Sequence, residues 1–409
     1  MSTIPHLVIA GGGAAGFFAA LTVKAVNRAL PVTVLETADR VLRKVTVSGG
    51  GRCNVTHACF EPAALARFYP RGHRELRGAF HKFQPRDTVA WFAARGVPLK
   101  TEADGRIFPV SDRAQSIVAC LTREAARLGV TVRTNTGLQA ARRQPDGRFA
   151  LALAGGARLT ADRLLLACGG TRGGNGAQLA QMMGHAPIPP VPSLFSFRVR
   201  DEHWHEHWQP LAGVSKAPVT VSAGDWRQTG AVLITHEGLS GPAILQLSAW
   251  GARRFAAQNY HFTVSVDWTA GAGARAQFMR CRQHAGQSRL GSDPQFAIPQ
   301  RLWARLLTSA AIPADRRWRE LRKGEEAALT RTLTVSQFQV VGQSLHRGEL
   351  VTCGGIPTRE VDFRTMASKL CAGLYFAGEM LDIDGVTGGF NFQNAWTTGW
   401  LAGTDMAAI

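Results

Sequence analysis

No Cys-x-x-Cys pair occurs among the seven cysteines (Cys53, Cys59, Cys120, Cys168, Cys281, Cys353, Cys371), whose count is odd and whose spacing is wide. That pattern excludes a zinc ribbon, a thioredoxin-like dithiol and a disulfide scaffold, so neither a bound metal nor an oxidising compartment is expected and a cytoplasmic setting fits. No apolar run approaches the roughly 20 residues that cross a bilayer. A strand signature that begins at His6 leaves no space for the charged and apolar regions of an export signal, and no membrane partner is expected. Charged residues make up only 19% against 45% hydrophobic, which is globular usage and excludes disorder as the main state. Internal repeats and low-complexity linkers are also absent, and 409 residues suit two or three packed domains.

Lysine is scarce: 7 of the 47 basic residues, the rest being arginine. The net charge of +18 invites a nucleic-acid reading, since basic surfaces attract phosphate. The arginine excess pervades an Ala- and Gly-rich chain, however, as a codon bias towards G and C would produce. Its densest stretch runs from Arg275 to Lys323, with 11 basic and 3 acidic residues, so 8 of the 18 net charges fall there. Within it Arg319, Arg322 and Lys323 have the i, i+3, i+4 spacing of one helical face, a candidate phosphate-tracking stripe.

The N-terminal segment reads strand, helix, strand: His6 to Ala10, an Ala-rich helix over Ala14 to Val26, then Pro31 to Glu36. A β-α-β unit of this length implies parallel pairing with a right-handed crossover. The connecting turn, Gly11-Gly12-Gly13-Ala14-Ala15-Gly16, is GxGxxG between strand and helix, with Glu36 twenty residues after Gly16. In that context Gly11 makes the turn, Gly13 admits a pyrophosphate, Gly16 lets helix and strand pack, and Glu36 accepts from adenosine ribose hydroxyls. A second strand-plus-GxGxxA match, Gly271 to Ala276, lacks an acidic strand end and is declined, so no dedicated NAD(P)H domain is seen.

ADP recognition does not separate FAD from NAD; the other glycine clusters do. Ser48-Gly49-Gly50-Gly51-Arg52-Cys53-Asn54 allows close backbone approach to a ligand, with Arg52 and Asn54 as donors and Cys53 better read as a packed thiol. Gly169-Gly170 stops a buried strand. Near the C-terminus Gly378, Glu379 and Asp384 follow a strand, with a carboxylate placed for ribityl hydroxyls. Gly388-Gly389-Phe390-Asn391 then opens a final helix whose N-terminus would favour the negative charge of a reduced flavin. Two such sites from opposite chain ends suit an extended FAD.

These stretches identify a resemblance. With Gly105 to Pro109, Thr235 to Leu245, Val351 to Ile356 and Gly373 to Gly403 added, the chain resembles the BaiN/RdsA-type (YhiN-like) flavoproteins, of the glutathione-reductase-type FAD fold. The match runs across nearly the whole chain and is most diagnostic in GLYFAGE, DIDG and TGGFNFQ. It implies an α/β fold with a discontinuous Rossmann-like FAD-binding domain, an inserted β-barrel-like domain and a small helical domain nested within that. The expected boundaries are 1–190 and 342–409, 191–268 and 327–341, and 269–326. The segment after Gly169-Gly170 is shorter than the family's usual glycine, serine and proline stretch, so the family's steroid enone substrate is not transferred. Ser240 and Pro242 suggest a helix start. His236, inside the Thr235 to Leu245 match, is the candidate catalytic acid or substrate ligand, with a structural histidine as the alternative.

The expected function is an FAD-dependent oxidoreductase moving a hydride to or from a small unsaturated or carbonyl-bearing substrate, with NAD(P)H as a transient reductant. Two alternatives stand beside it: an RNA-associated flavoprotein like those that modify tRNA, and a flavin-binding interaction module with little turnover.

Overall fold

The structure, a computed structural model, describes residues 4–171, 174–200, 204–344 and 351–408. Chain contacts divide it into two units, Met1–Ser193 with Gly348–Ile409, and Leu194–Arg347. The division groups the helices of 274–334 with the barrel rather than apart from it. One continuous core joins them, including the enclosed Trp268, Trp303 and Trp318.

In the first unit, short strands of consecutive apolar residues form a sheet that is buried on both faces, as parallel sheets require. Leu7–Ala10 is central and pairs in parallel with Val32–Leu35 on one side (Leu7 opposite Val32) and with Arg163–Leu166 on the other (Leu7 opposite Arg163). Thr131–Arg133 extends the sheet beyond Val32–Leu35, and Leu374–Phe376 extends it beyond Arg163–Leu166. Strand order therefore reverses at Leu7–Ala10, which makes its carboxyl end a topological switch point, where open α/β sheets bind ligands.

Two helices from opposite chain ends cover that point. Ala14–Val26 is almost wholly buried and packs along Phe390–Ala407. Small residues permit the approach: a Cβ on Gly399 would lie 2.6 Å from the carbonyl oxygen of Ala15, and one on Gly403 2.5 Å from that of Ala19.

The second unit contains a closed six-stranded barrel, in the order Ser196–Val199, Gly238–Ser240, Trp226–Ile234, Ser215–Ala223, His261–Asp267, Ser336–Ser344, all neighbours antiparallel. Closure leaves no free edge. Gly241, at φ 97°, caps the helix Pro242–Ala257 in place of the expected Ser240. The Ser240 hydroxyl instead pairs with that of Ser196 on the neighbouring strand at 2.6 Å, both residues being buried.

The arginine stripe does not form. Trp318–Glu320 is a single 3-10 turn, Leu321 is extended, and a new helix starts at Lys323, so the break resets the phase between Arg319 and Arg322. Several arginines of this stretch also have acidic partners: Arg316 with Glu325 (3.0 Å), Arg282 with Glu326 (2.9 Å), Arg319 with Glu320 (3.8 Å). A strand runs over Thr352–Gly355, and Arg172 and Gly173 after the paired glycines lie outside the described residues.

Candidate active site

The glycines of the Gly11–Gly16 turn differ in the space around them. Gly11 has φ 117°, and a Cβ there would overlap the carbonyl oxygen of Ala167 on the neighbouring strand. A Cβ on Gly16 would overlap the carbonyl oxygen of Gly11. On Gly13, the N-cap of the first helix, a Cβ would meet nothing within 4 Å. Gly13 and Ala14 are half-buried at this open side, whereas Ala15 is buried against the last helix. Glu36, one residue past its strand, accepts from the amides of Gly12 (2.9 Å) and Ala38 (2.9 Å). It is half-buried, and each carboxylate oxygen keeps a lone pair for a further donor.

Other clusters meet this crevice. Gly169, at φ 82°, lies where a Cβ would be 3.8 Å from Glu379 Oε2, and a Cβ on Gly170 would overlap the Thr352 hydroxyl. Glu379 is ion-paired with Lys44, from the helix Arg43–Gly51. That helix is broken internally, with Ser48 extended and Gly49 and Gly50 left-handed. Gly50 and Gly51 face open space. Asn54 ties this loop to the last helix: its amide oxygen accepts from Gly389 N–H (2.9 Å) and its nitrogen donates to Thr56 O (3.0 Å). Gly389, at φ 93°, caps that helix and could hold no side chain, since a Cβ would lie 2.5 Å from Thr56 O.

Several expected ligands are engaged or enclosed within the protein itself. Arg52 is not free for phosphate: its guanidinium binds Glu102 (2.6 Å) and Asp112 (3.2 Å) and lies 3.9 Å over the Phe108 ring. Asp384 is fully enclosed, with Arg71 Nε donating to it at 2.6 Å, a second Arg71 nitrogen pairing with it and the Ser193 hydroxyl donating as well, so it anchors the chain instead of meeting ribityl hydroxyls. The Asn391 amide is engaged in both directions by Gly385, at 2.8 Å each. Phe390 is buried, stacked on Phe68 with centroids 4.4 Å apart. Cys53 is enclosed, and burial pushes its thiol up to about 12, as suits a packed thiol. Gly378 is also buried, against Ala15.

His236 lies in the second unit, exposed on the turn between Ile234 and Gly238, where its carbonyl accepts from Trp204 Nε1 at 2.9 Å. Three residues that the sequence did not flag border the crevice. Lys44 had no signal, its partner being remote in sequence. His57 stacks on Phe390 (4.8 Å), donates from Nε2 to Asp104 O (3.2 Å), and has its pKa lowered by burial. Asn394 is 1% exposed, and neither of its amide atoms has a partner among the described residues. It lies between Asn391 and Thr398, which bond Gly385 and Gly378, so its orphaned amide shares the face turned to that segment. An open glycine at the helix start, an acceptor at the second strand end and an orphaned amide together fit an ADP-bearing flavin.

Comparison with known proteins agrees with this geometry. Residues 5–405 match the family described as HI0933-like protein Rossmann domain. The chain is 32% identical to the ribosomal RNA dihydrouridine synthase of Escherichia coli K12, over 98% of both chains. It is 30% identical to the 3-dehydro-bile acid delta(4,6)-reductase of Clostridium scindens, over 97% of both. Among solved structures, the 3-ketosteroid-Δ4-(5α)-dehydrogenase of Rhodococcus jostii shares the fold at a TM-score of 0.52 and 14% identity, over 99% of this chain and 97% of that one. No helix among the described residues is long and apolar enough to cross a membrane. With a Rossmann switch point, a glycine cradle drawn from both chain ends and a match along nearly its whole length, the chain belongs to the HI0933-like Rossmann family and is an FAD-dependent oxidoreductase.

Proposed function

We propose that this enzyme reduces a carbon–carbon double bond conjugated to a carbonyl. The observation that carries the reading is that two relatives matched end to end, with very different substrates, are named for reductions of that one kind. Dihydrouridine is uridine saturated at a double bond conjugated to a ring carbonyl, and a 3-dehydro bile acid with Δ4 and Δ6 unsaturation is a conjugated ketone. FAD held by these residues would supply the hydride chemistry such a reduction needs, a hydride for the β carbon being matched by a proton for the α carbon. In the protein, Glu36 and the open side of Gly13 hold the ADP half, Asn54 fixes Gly389 at the start of the last helix, and that N-terminus favours negative charge. His236, exposed on its turn, is the candidate proton donor.

A second reading, RNA as the bearer of the double bond, is favoured by the net charge of +18 and by the rRNA-modifying relatives from Escherichia coli and Haemophilus influenzae. NADH or NADPH, arriving from solution, is the proposed reductant. The test is anaerobic titration with each nicotinamide while following flavin absorbance, then reoxidation by a uridine-containing RNA or by a steroid enone. Reoxidation by either supports conjugated reduction, and RNA selects the second reading. A flavin that neither substrate reoxidises refutes the proposal.

A further inference from the structure

The surface cations of the first unit are distributed differently from those of the helical stretch. A pocket of about 300 Å³ is lined by Ala63, Ala66, Arg67, His73, Arg74 and Arg77. Its lining combines two small residues with three arginines and a histidine, and includes no carboxylate. His73, Arg74 and Arg77 lie on the exposed side of the helix His73–Phe80, whose Leu76, Ala79 and Phe80 are buried. Exposed His81 and Lys82 continue the basic surface at its end.

The nearby acids are turned elsewhere. Glu75, on the same helix, accepts from the Thr358 hydroxyl at 2.9 Å. Both oxygens of Glu61 cap the helix Pro62–Ala66 through the amides of Ala63 (3.0 Å) and Ala64 (2.6 Å). Arg67 and Arg74 form no ion pair among the described residues, in contrast to Arg282, Arg316 and Arg319, and Arg77 lies within electrostatic reach of Glu61 without a close ion pair. Guanidinium groups that outnumber the acids around a concavity match phosphate, which they bind through paired, charge-assisted hydrogen bonds.

The basic helix is also fixed to the cradle. Arg71 bridges to Asp384, the Val386 amide donates to Phe68 O at 2.9 Å, and the Tyr69 hydroxyl donates to Phe390 O at 2.7 Å. Gly72, at φ 81°, then turns into the helix where a side chain would overlap Ile383. The segment 68–72 is thus stapled to 383–390, the run that ends in Gly388-Gly389.

We propose that this pocket seats backbone phosphates of RNA; the proposal rests on the RNA reading above. The experiment measures holoenzyme binding to a fluorescein-labelled RNA hairpin with uridine in its loop, across a range of salt. The wild type should bind with a steep salt dependence. R74Q/R77Q should weaken binding about tenfold or more at low salt and flatten the log–log slope by about 0.7 to 0.9 for each phosphate no longer neutralised, about 1.4 to 1.8 in all. FAD content and Tm should be unchanged, and R317E/R319E/R322E should leave the slope nearly intact. Wild-type slope in R74Q/R77Q would overturn the pocket while leaving the RNA reading in place. Equal displacement of the hairpin by uridine monophosphate would overturn it too, because the ligand would then be a mononucleotide. A wild-type protein that binds no RNA even at low salt would overturn the RNA reading and the pocket with it.

Discussion

Gly13 and Gly16 belong to one motif, yet alanine should act on them in opposite ways. At Gly13 the backbone is extended, φ −89° and ψ −169°, which alanine adopts without strain, and the new methyl meets no protein atom within 4 Å. Losing glycine as an N-cap costs a few tenths of a kcal/mol to about 1, and the lower entropy of the unfolded chain returns about 0.4 to 1. Apo stability should therefore stay within about 0.5 kcal/mol of wild type. The methyl does enter the space where the pyrophosphate approaches the backbone, so FAD affinity should fall by about 1 to 3 kcal/mol, the range of overpacking, or roughly 5- to 150-fold. At Gly16 alanine gains about 1 kcal/mol of helix propensity, but its Cβ would overlap the carbonyl oxygen of Gly11 and come within 3.2 Å of Ile9 Cγ2. Both are backbone or core atoms that cannot swing aside, so the apoprotein itself should lose about 1 to 3 kcal/mol. Urea unfolding of the apoproteins and FAD titration by fluorescence quenching separate the effects. Unchanged FAD affinity in Gly13→Ala, or wild-type apo stability in Gly16→Ala, refutes the assignment of open and closed sides.

Glu36→Ala should weaken FAD by about 1 to 3 kcal/mol through lost charge-assisted hydrogen bonds, measured as the FAD dissociation constant, and an unaltered value would remove Glu36 from the adenosine site. Asp384→Ala leaves Arg71, with only 13% of its side chain exposed, without its carboxylate, so urea unfolding should show a loss of about 3 to 5 kcal/mol. Replacing both partners by apolar residues should cost less than that, and a larger loss in the double variant would contradict the ion-pair account. The Cys53 thiol, enclosed and pushed up to about 12, should resist thiol reagents in mildly alkaline native protein while half-buried Cys59 reacts first; equal labelling rates by mass spectrometry would refute its burial.

What the sequence revealed of the site is what local backbone geometry dictates. Gly11, Gly16 and Gly389 stand where a Cβ has no room, and such demands leave a glycine at a fixed spacing from strand or helix. Side-chain pairing was hidden. Arg52 meets Glu102 across 50 positions, Arg71 meets Asp384 across 313, and Lys44 meets Glu379 across 335, and no local pattern announces such partners. Asp384 looked like a ligand because it follows a strand, but its environment is set by Arg71 and Ser193. The arginine stripe failed for a different reason: helical phase was carried through Trp318 to Leu321, where the chain leaves the helix. The barrel-like insert was implied only by the family resemblance, and its closure depends on pairings such as Ser196 with Ser344 that only the folded chain displays.

The seam between the first and last helices sets a timetable for biosynthesis. Ala15 leaves the ribosome early, but the glycine that packs on it, Gly399, is 384 positions later. At roughly 5–20 residues per second, the first helix waits about 20 to 80 seconds for the partner that buries its small-residue face. A nascent chain can fold its barrel in that interval, yet it has no Gly389 to meet Asn54 and no Glu379 to meet Lys44. Cofactor capture is therefore a late event, and a chain stalled or clipped before its final helix would be folded in part, colourless, and exposed along the groove that Phe390–Ala407 should fill.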